Sequence, residues 1–159
     1  MTIAKHSTFT GKVKLIGSSK LRYEDMNAST GGVARGTSIG TTFTSIYSYS
    51  GQGNFLGFIV NLEKPDEDWY IRIVVDGEEI TGSAGILTSD ILDKDIYGFQ
   101  QSGGKVFGPG AAGIKVAEKA ISFDFPQAIP YSSSVQMLVR RASGSKDFRA
   151  GLAILTKDS

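Results

Sequence analysis

The chain has 159 residues, 40% of them hydrophobic and 21% charged, which fits one globular domain with its own core and excludes a disordered chain. The 17 Lys and Arg against 16 Asp and Glu give a net charge of +1, too small for recognition of nucleic acid or anionic membrane by bulk charge. The absence of cysteine excludes disulfides, thiolate metal ligands and cysteine nucleophiles.

We do not expect the N-terminal segment to be a signal for export. It reads MTIAKHSTFTGK, which lacks the apolar core of a signal peptide, and no later run reaches the roughly 18 apolar residues of a transmembrane helix. We therefore expect a single domain over 1–159, with residues 1–8 mobile and no membrane insertion. His6 is the only histidine, so we expect neither a metal site nor a Ser-His-Asp triad.

The first 50 residues predict strands separated by a polar stretch. GKVKLIG at 11–17 and TTFTSIYSYS at 41–50 are rich in residues that favour strands. The small polar residues at 26–40 have no periodicity. There we expect either a long loop or a weakly formed edge strand.

Two longer strands and a hairpin turn follow. A nearly continuous apolar strand is predicted from Asn54 to Leu62. In DWYIRIVV at 68–75, successive residues alternate between two faces with the period of a strand. Asp76-Gly77 then predicts a type I′ turn, because such turns need positive φ at both central positions. Together these segments predict an antiparallel meander.

The next region contains the one predicted helix and a glycine-rich motif. Ser89 suits a helix cap and Gly98 a helix end, so LTSDILDKDIYGF predicts a short helix near 89–97. GPGAAG at 108–113 matches the letters of a dinucleotide-binding loop, but it contains Pro109 and leads into a strand. We therefore expect a surface loop and no cofactor.

The C-terminal third again alternates as strands do. AISFDFP, SVQMLVRRA and DFRAGLAILT each have apolar residues at every second position. Ser143-Gly144-Ser145 is expected to join the last two strands as a hairpin. The residues expected to contribute to the core are Phe55 or Leu56, Ile71, Ile73, Phe123, Val135, Met137 and Leu152.

Many short strands with glycine-rich turns predict an all-β fold. The specific expectation is an antiparallel β-sandwich, jelly-roll-like, with one short helix near 89–97.

Five residues are candidates for ligand or interface contacts. The aromatic rings of Tyr47, Tyr49 and Trp69 suit stacking on sugars or bases, and Arg140 and Arg141 suit contacts with phosphate. Charged side chains on a strand also keep a sheet edge soluble, so nucleic acid is not the expected partner. We expect no catalytic, cofactor-binding or metal-binding residues, and hence no enzyme.

Two stretches carry a resemblance to a known class of proteins. They are GNFLGFIVNLEKPDEDWYIRIVVDGEEI and ISFDFPQAIPYSSSVQMLVRRASGSKDFRAGLAILT. Their arrangement of strands, polar turn and Pro-framed bend resembles small β-sandwich or jelly-roll structural proteins of bacteriophages and other viruses.

The resemblance implies a coat, vertex, spike or tail component. Such a protein would lie in the virion, assembled in the host cytoplasm, with itself and other virion proteins as partners. We expect sheet edges and the loops at 26–40 and 98–113 to supply the contacts. The alternative is a carbohydrate-binding β-sandwich that uses Trp69 or the tyrosines as sugar platforms.

Overall fold

The computed structural model describes residues 19–64, 68–88, 100–101, 104–105, 112–115 and 120–158. Within these ranges the strands are β1 (Lys20–Asp25), β2 (Ser38–Ile39), β3 (Thr44–Ser50), β4 (Gly53–Leu62), β5 (Trp69–Val75), β6 (Glu78–Glu79), β7 (Ile86–Leu87), β8 (Gln100–Gln101), β9 (Gly104–Lys105), β10 (Ala112–Lys115), β11 (Ala120–Tyr131), β12 (Ser134–Arg141) and β13 (Lys146–Lys157). A 3₁₀ turn covers Ala28–Thr30. The strand predicted at 11–17, the helix predicted at 89–97 and the mobility predicted for 1–8 lie outside the described residues.

The strands form two antiparallel sheets, as the all-β sandwich prediction requires. The first sheet has the order β1-β13-β4-β11-β10-β9-β8, with β2 also paired to β13. The second has the order β3-β12-β5-β6, with β7 also paired to β5. Four pairs of strands are nested along the chain: β1 with β13, β3 with β12, β4 with β11, and β5 with β6.

Most connections between these nested strands cross from one sheet to the other. The β5–β6 connection stays within one sheet, and it is the predicted type I′ hairpin, with φ of 51° at Asp76 and 85° at Gly77. The predicted meander of β4 and β5 is wrong, because β4 lies in the first sheet and β5 in the second. The predicted hairpin at 143–145 is also wrong, since it joins β12 of one sheet to β13 of the other.

In the described part of the chain, the hydrophobic core lies between the two sheets. Its largest fully buried side chains are Trp69, Tyr47, Phe55, Phe58, Phe148, Met26, Ile39, Ile46, Leu62, Ile71 and Ile73. Burial confirms the predicted core positions on the central strands, namely Phe55, Ile71, Ile73, Phe123, Val135 and Met137. Aromatic contacts reinforce the first sheet, where the rings of Phe58 and Phe123 stack with centroids 5.6 Å apart.

The core prediction for Leu152 is wrong. The pairing of β13 with β4 shifts register between Phe148 and Ala150, which is the signature of a β-bulge. Because a one-residue shift moves the following side chains to the opposite face, Ala153 and Leu155 point into the core. Leu152 is therefore directed to the outer face of the first sheet.

Candidate interaction surface

The outer face of the first sheet carries an apolar surface. Tyr23 on β1 lies across from Ile154 on β13, and Leu152 on β13 lies across from Ile59 on β4. With Ala150, these side chains form what we call the outer apolar face. Tyr23 is 62% exposed and Ile59 38% exposed, whereas a strand side chain on a solvated face is usually polar.

A recess of about 270 Å³ opens in the outer apolar face. Its lining consists of Asp25, Arg35, Ile59, Asn61, Ala150, Gly151 and Leu152. The side-chain oxygen Oδ1 of Asn61 is buried and accepts no hydrogen bond. A buried acceptor without a donor costs free energy, so a ligand or partner that donates to this oxygen would gain from it.

The rim of the recess carries one charge of each sign. Arg35 Nη2 lies 2.9 Å from Asp25 Oδ2, and both side chains are about half exposed. An exposed ion pair of this kind contributes little to the stability of the fold. Its two charges remain accessible to a partner surface.

The loop at 26–40 holds Arg35 at this rim. The Asn27 side chain accepts a hydrogen bond from the Ser29 backbone N–H at 2.8 Å and caps the 3₁₀ turn. Met26 is buried in the core, and the absence of a side chain at Gly151 leaves room for its sulfur atom. The loop ends in the short strand β2, so this stretch contains both the loop and the weak edge that the sequence allowed.

Two of the predicted contact residues lie in the core instead. Trp69 and Tyr47 are both 0% exposed, and Trp69 Nε1 donates a hydrogen bond to the carbonyl oxygen of Glu63 at 3.1 Å. A sugar or a base needs an accessible ring face for stacking, so neither residue is a platform in this structure. These two assignments are corrected: both rings lie between the sheets because they occupy inward positions of β5 and β3.

Tyr49 belongs to a cluster that ties β1 to the sandwich. Tyr47 Oη donates a hydrogen bond to Glu24 Oε2 at 2.6 Å, and Lys157 forms an ion pair with the same carboxylate. The Lys157 ammonium lies 3.9 Å from the centre of the Tyr49 ring, which is a cation–π contact. Half-buried Tyr49 also meets Tyr131 edge to face, with ring centroids 5.9 Å apart.

Burial and hydrogen bonding control ionisation in this cluster. Burial, followed by the hydrogen bond to Glu24, raises the pKa of Tyr47 above its usual range. Burial alone would raise the pKa of Glu24, but the hydrogen bonds from Lys157 and Tyr47 outweigh it and lower this pKa. The carboxylate therefore stays charged and the phenol neutral at neutral pH, which suits a structural role.

Arg140 and Arg141 do not form one basic patch, because neighbouring residues of a strand point to opposite faces. Arg141 is buried, with its guanidinium 5.3 Å from the centre of the Trp69 ring. Arg140 lies on the outer side of the second sheet, 4.0 Å from the centre of the Tyr70 ring. Of the two, only half-buried Arg140 is placed to meet a partner.

The sequence patterns missed the strand that carries Tyr23. The segment KLRYED is mostly charged, so its composition did not suggest a strand. Its alternation of Leu21 and Tyr23 with Arg22 and Glu24 was the available signal. The alternation does predict a strand, but with its apolar residues facing the core, whereas both are exposed.

Chemistry of other kinds is not apparent in the described part of the chain. There, no group of three or more His, Cys, Asp or Glu side chains is placed to hold a metal ion. Nor does any helix found there have the length and hydropathy needed to cross a bilayer. His6 and the first four residues of GPGAAG fall outside the described ranges, and Ala112-Gly113 begin strand β10 rather than a helix.

Comparisons with known proteins add no family to this description. No protein-family model matches the sequence, and a search of curated proteins gave no significant match.

Proposed function

We propose that the protein is a structural component of a virus or phage particle, that its sandwich is a jelly roll, and that it acts by symmetric self-association. The nested pairing of β1 with β13, β3 with β12, β4 with β11 and β5 with β6 supports the jelly-roll assignment. Jelly rolls are double-sheet sandwiches with two Greek keys, and they occur in viral capsid and lectin domains. A location in the virion, with other virion proteins as further partners, belongs to the same proposal.

The outer apolar face is the observation that carries the proposal of self-association. Large contiguous apolar patches are uncommon on a monomer, and apolar side chains clustered on one face of a sheet often mark a surface that binds another molecule. Tyr23, Ile59 and Leu152 lie together on this face with the Asp25–Arg35 ion pair at its edge. An apolar centre with a polar rim is the usual anatomy of a protein–protein interface.

The carbohydrate-binding alternative loses its main support. Its proposed platforms Trp69 and Tyr47 are buried, and a lectin-like site on the described residues would have to use an exposed ring such as Tyr23. We propose no catalytic role, because the interaction surface requires none.

Light scattering coupled to size-exclusion chromatography tests the proposal. We expect a mass that is a multiple of 17.0 kDa and that persists or grows as the protein concentration rises. A mass of 17.0 kDa at every concentration would contradict self-association. If, in addition, a glycan specifically raised the melting temperature, the carbohydrate-binding alternative would replace it.

A further inference from the structure

We propose that the recess in the outer apolar face receives Tyr23 of a second copy of the chain, and that the phenol of this Tyr23 donates a hydrogen bond to Asn61 Oδ1. The inference rests on the proposed function, since it names the contact through which self-association occurs. It assigns one occupant to the recess and one donor to an acceptor that has none, and it requires the Asn61 amide to turn so that its buried oxygen meets the incoming hydroxyl.

The chemistry of the recess matches a tyrosine side chain. Ile59, Ala150 and Leu152 supply apolar walls, and the buried oxygen of Asn61 supplies a single acceptor. A tyrosine combines an apolar ring with one hydroxyl donor, and buried tyrosines usually find a partner for that hydroxyl. The recess volume of about 270 Å³ accommodates an aromatic ring.

Tyr23 is the most exposed large side chain of this face and is therefore available to enter a partner. It is 62% exposed and stands on edge strand β1, two residues from Asp25 at the rim of the recess. Two residues along a strand correspond to about 7 Å, so Tyr23 and the recess are neighbours on one surface. Tyr23 does not line the recess of its own chain.

A twofold axis makes the insertion reciprocal. If the axis runs parallel to the sheet, between Tyr23 and the recess, it maps the Tyr23 of each copy onto the recess of the other. Interfaces of this kind use the same surface patch on both subunits and must be self-complementary. The rim meets that condition, because Asp25 and Arg35 of one copy can face Arg35 and Asp25 of the other.

Substitutions measured by sedimentation equilibrium test the contact. Tyr23→Ala removes a buried aromatic anchor, and we expect it to raise the dimer dissociation constant about 30-fold or more. Tyr23→Phe removes the hydroxyl alone and should raise this constant about fivefold. In an Asn61→Ala background, Tyr23→Phe should have no further effect, because the acceptor is gone.

Two lysine substitutions test whether the recess is the site of dimerisation, one as the test and one as its matched control. Ile59→Lys puts a charge into the recess and should abolish dimerisation. Ile80→Lys changes another exposed isoleucine, which is 44% exposed and lies outside the outer apolar face, and should leave dimerisation unchanged. Circular dichroism and melting temperature verify that each variant is folded.

The possible results separate this inference from the proposed function. If the wild type associates and Tyr23→Ala and Ile59→Lys weaken the association, the contact is supported. If the wild type associates and both variants match it, the contact is overturned while self-association stands. If the wild type remains at 17.0 kDa throughout, self-association is overturned and this contact with it.

Discussion

The carboxylate of Asp76 joins two turns that lie 56 residues apart in the chain. It accepts hydrogen bonds from the backbone N–H groups of Ser132, Ser133 and Ser134, and from the hydroxyls of the first two serines. The β5–β6 hairpin thereby holds the connection between β11 and β12. The backbone donors, with that of Ser134 first, lower the pKa of Asp76 well below its usual range.

Replacement of Asp76 by asparagine is expected to lower the urea midpoint of unfolding at neutral pH, because the amide has one acceptor oxygen and no charge. A depressed pKa in the folded state gives stability that is present above the unfolded pKa, 3.8, and is lost as the pH falls through the folded pKa. The difference in midpoint between wild type and variant should therefore be largest near neutral pH and shrink in acid.

Urea titrations of both proteins at a series of pH values measure this difference. Glu78→Gln, a change of an exposed acid in the same hairpin, is the control and should have little effect at any pH. A difference that stays constant from neutral pH to strongly acidic pH would contradict the assigned role of the Asp76 charge.

Gly32 illustrates a second constraint on a single residue. A Cβ at this position would overlap the carbonyl group of Ile46, which is part of β3 and cannot rotate away. We expect Gly32→Ala to reduce the free energy of unfolding by about 1–3 kcal/mol through overpacking. Gly40→Ala is the matched control, since a Cβ there meets nothing within 4 Å. Equal stabilities of the two variants in chemical denaturation would refute this account.

Among the elements, β1 depends on the Glu24 cluster for its attachment. Elsewhere its main contact is the pairing with β13, Asp25 at its end pairs with Arg35, and most of its side chains are exposed. The charged hydrogen bonds of Glu24 with Tyr47 and Lys157 fix the strand to both sheets. The position of Tyr23, on which the proposed interface depends, follows from this attachment.

Glu24→Gln is expected to weaken the attachment of β1. Loss of the charged hydrogen bonds should lower the free energy of unfolding by about 1–2 kcal/mol, and the β1 amides should exchange hydrogen faster. Lys20→Gln, an exposed change in the same strand, serves as the control. Hydrogen exchange followed by mass spectrometry would contradict the role of Glu24 if the β1 amides of the two variants exchanged equally fast.

The alternation of residues predicted the strands better than it predicted their faces. On β12, Val135 and Met137 follow the pattern and are buried. On β13 the same reasoning failed, because the bulge after Phe148 reverses the faces and directs Leu152 outward. A bulge changes the pairing by one residue and leaves no mark in the period of the sequence. The period alone therefore predicts neither the outward direction of Leu152 nor the outer apolar face.

Turn residues likewise predicted where the chain bends but not which sheet follows. Asp76-Gly77 specified its hairpin, since both residues adopt positive φ. The glycine at 144 also has positive φ, yet the chain there passes from one sheet to the other. The choice depends on long-range pairing, which the local sequence does not encode.

For the molecule as a whole, the nested pairing places the two ends of the described chain side by side. Lys20 pairs with Lys157 across β1 and β13, and Asn61 of β4 pairs with Ala120 of β11. To form such pairs, the chain must close long loops before the contacts between the strands are made. The entropy lost in closing these loops raises the free energy of the folding transition state. The β5–β6 hairpin is the local pair of the nested set.

We therefore expect slow folding, with refolding times of about milliseconds to seconds, as in other all-β sandwiches. Trp69 is the one tryptophan of the chain and is fully buried between the sheets, so its fluorescence reports when the core forms. Stopped-flow dilution from urea measures this rate. Met137→Ala truncates a buried residue of central strand β12 and should lower the free energy of unfolding by about 2–5 kcal/mol. The share of this loss that appears in the folding rate, rather than in the unfolding rate, tells whether the β3-β12-β5 pairing is present in the transition state. Refolding within microseconds would contradict the dominance of long-range pairing, because only locally connected folds reach that speed.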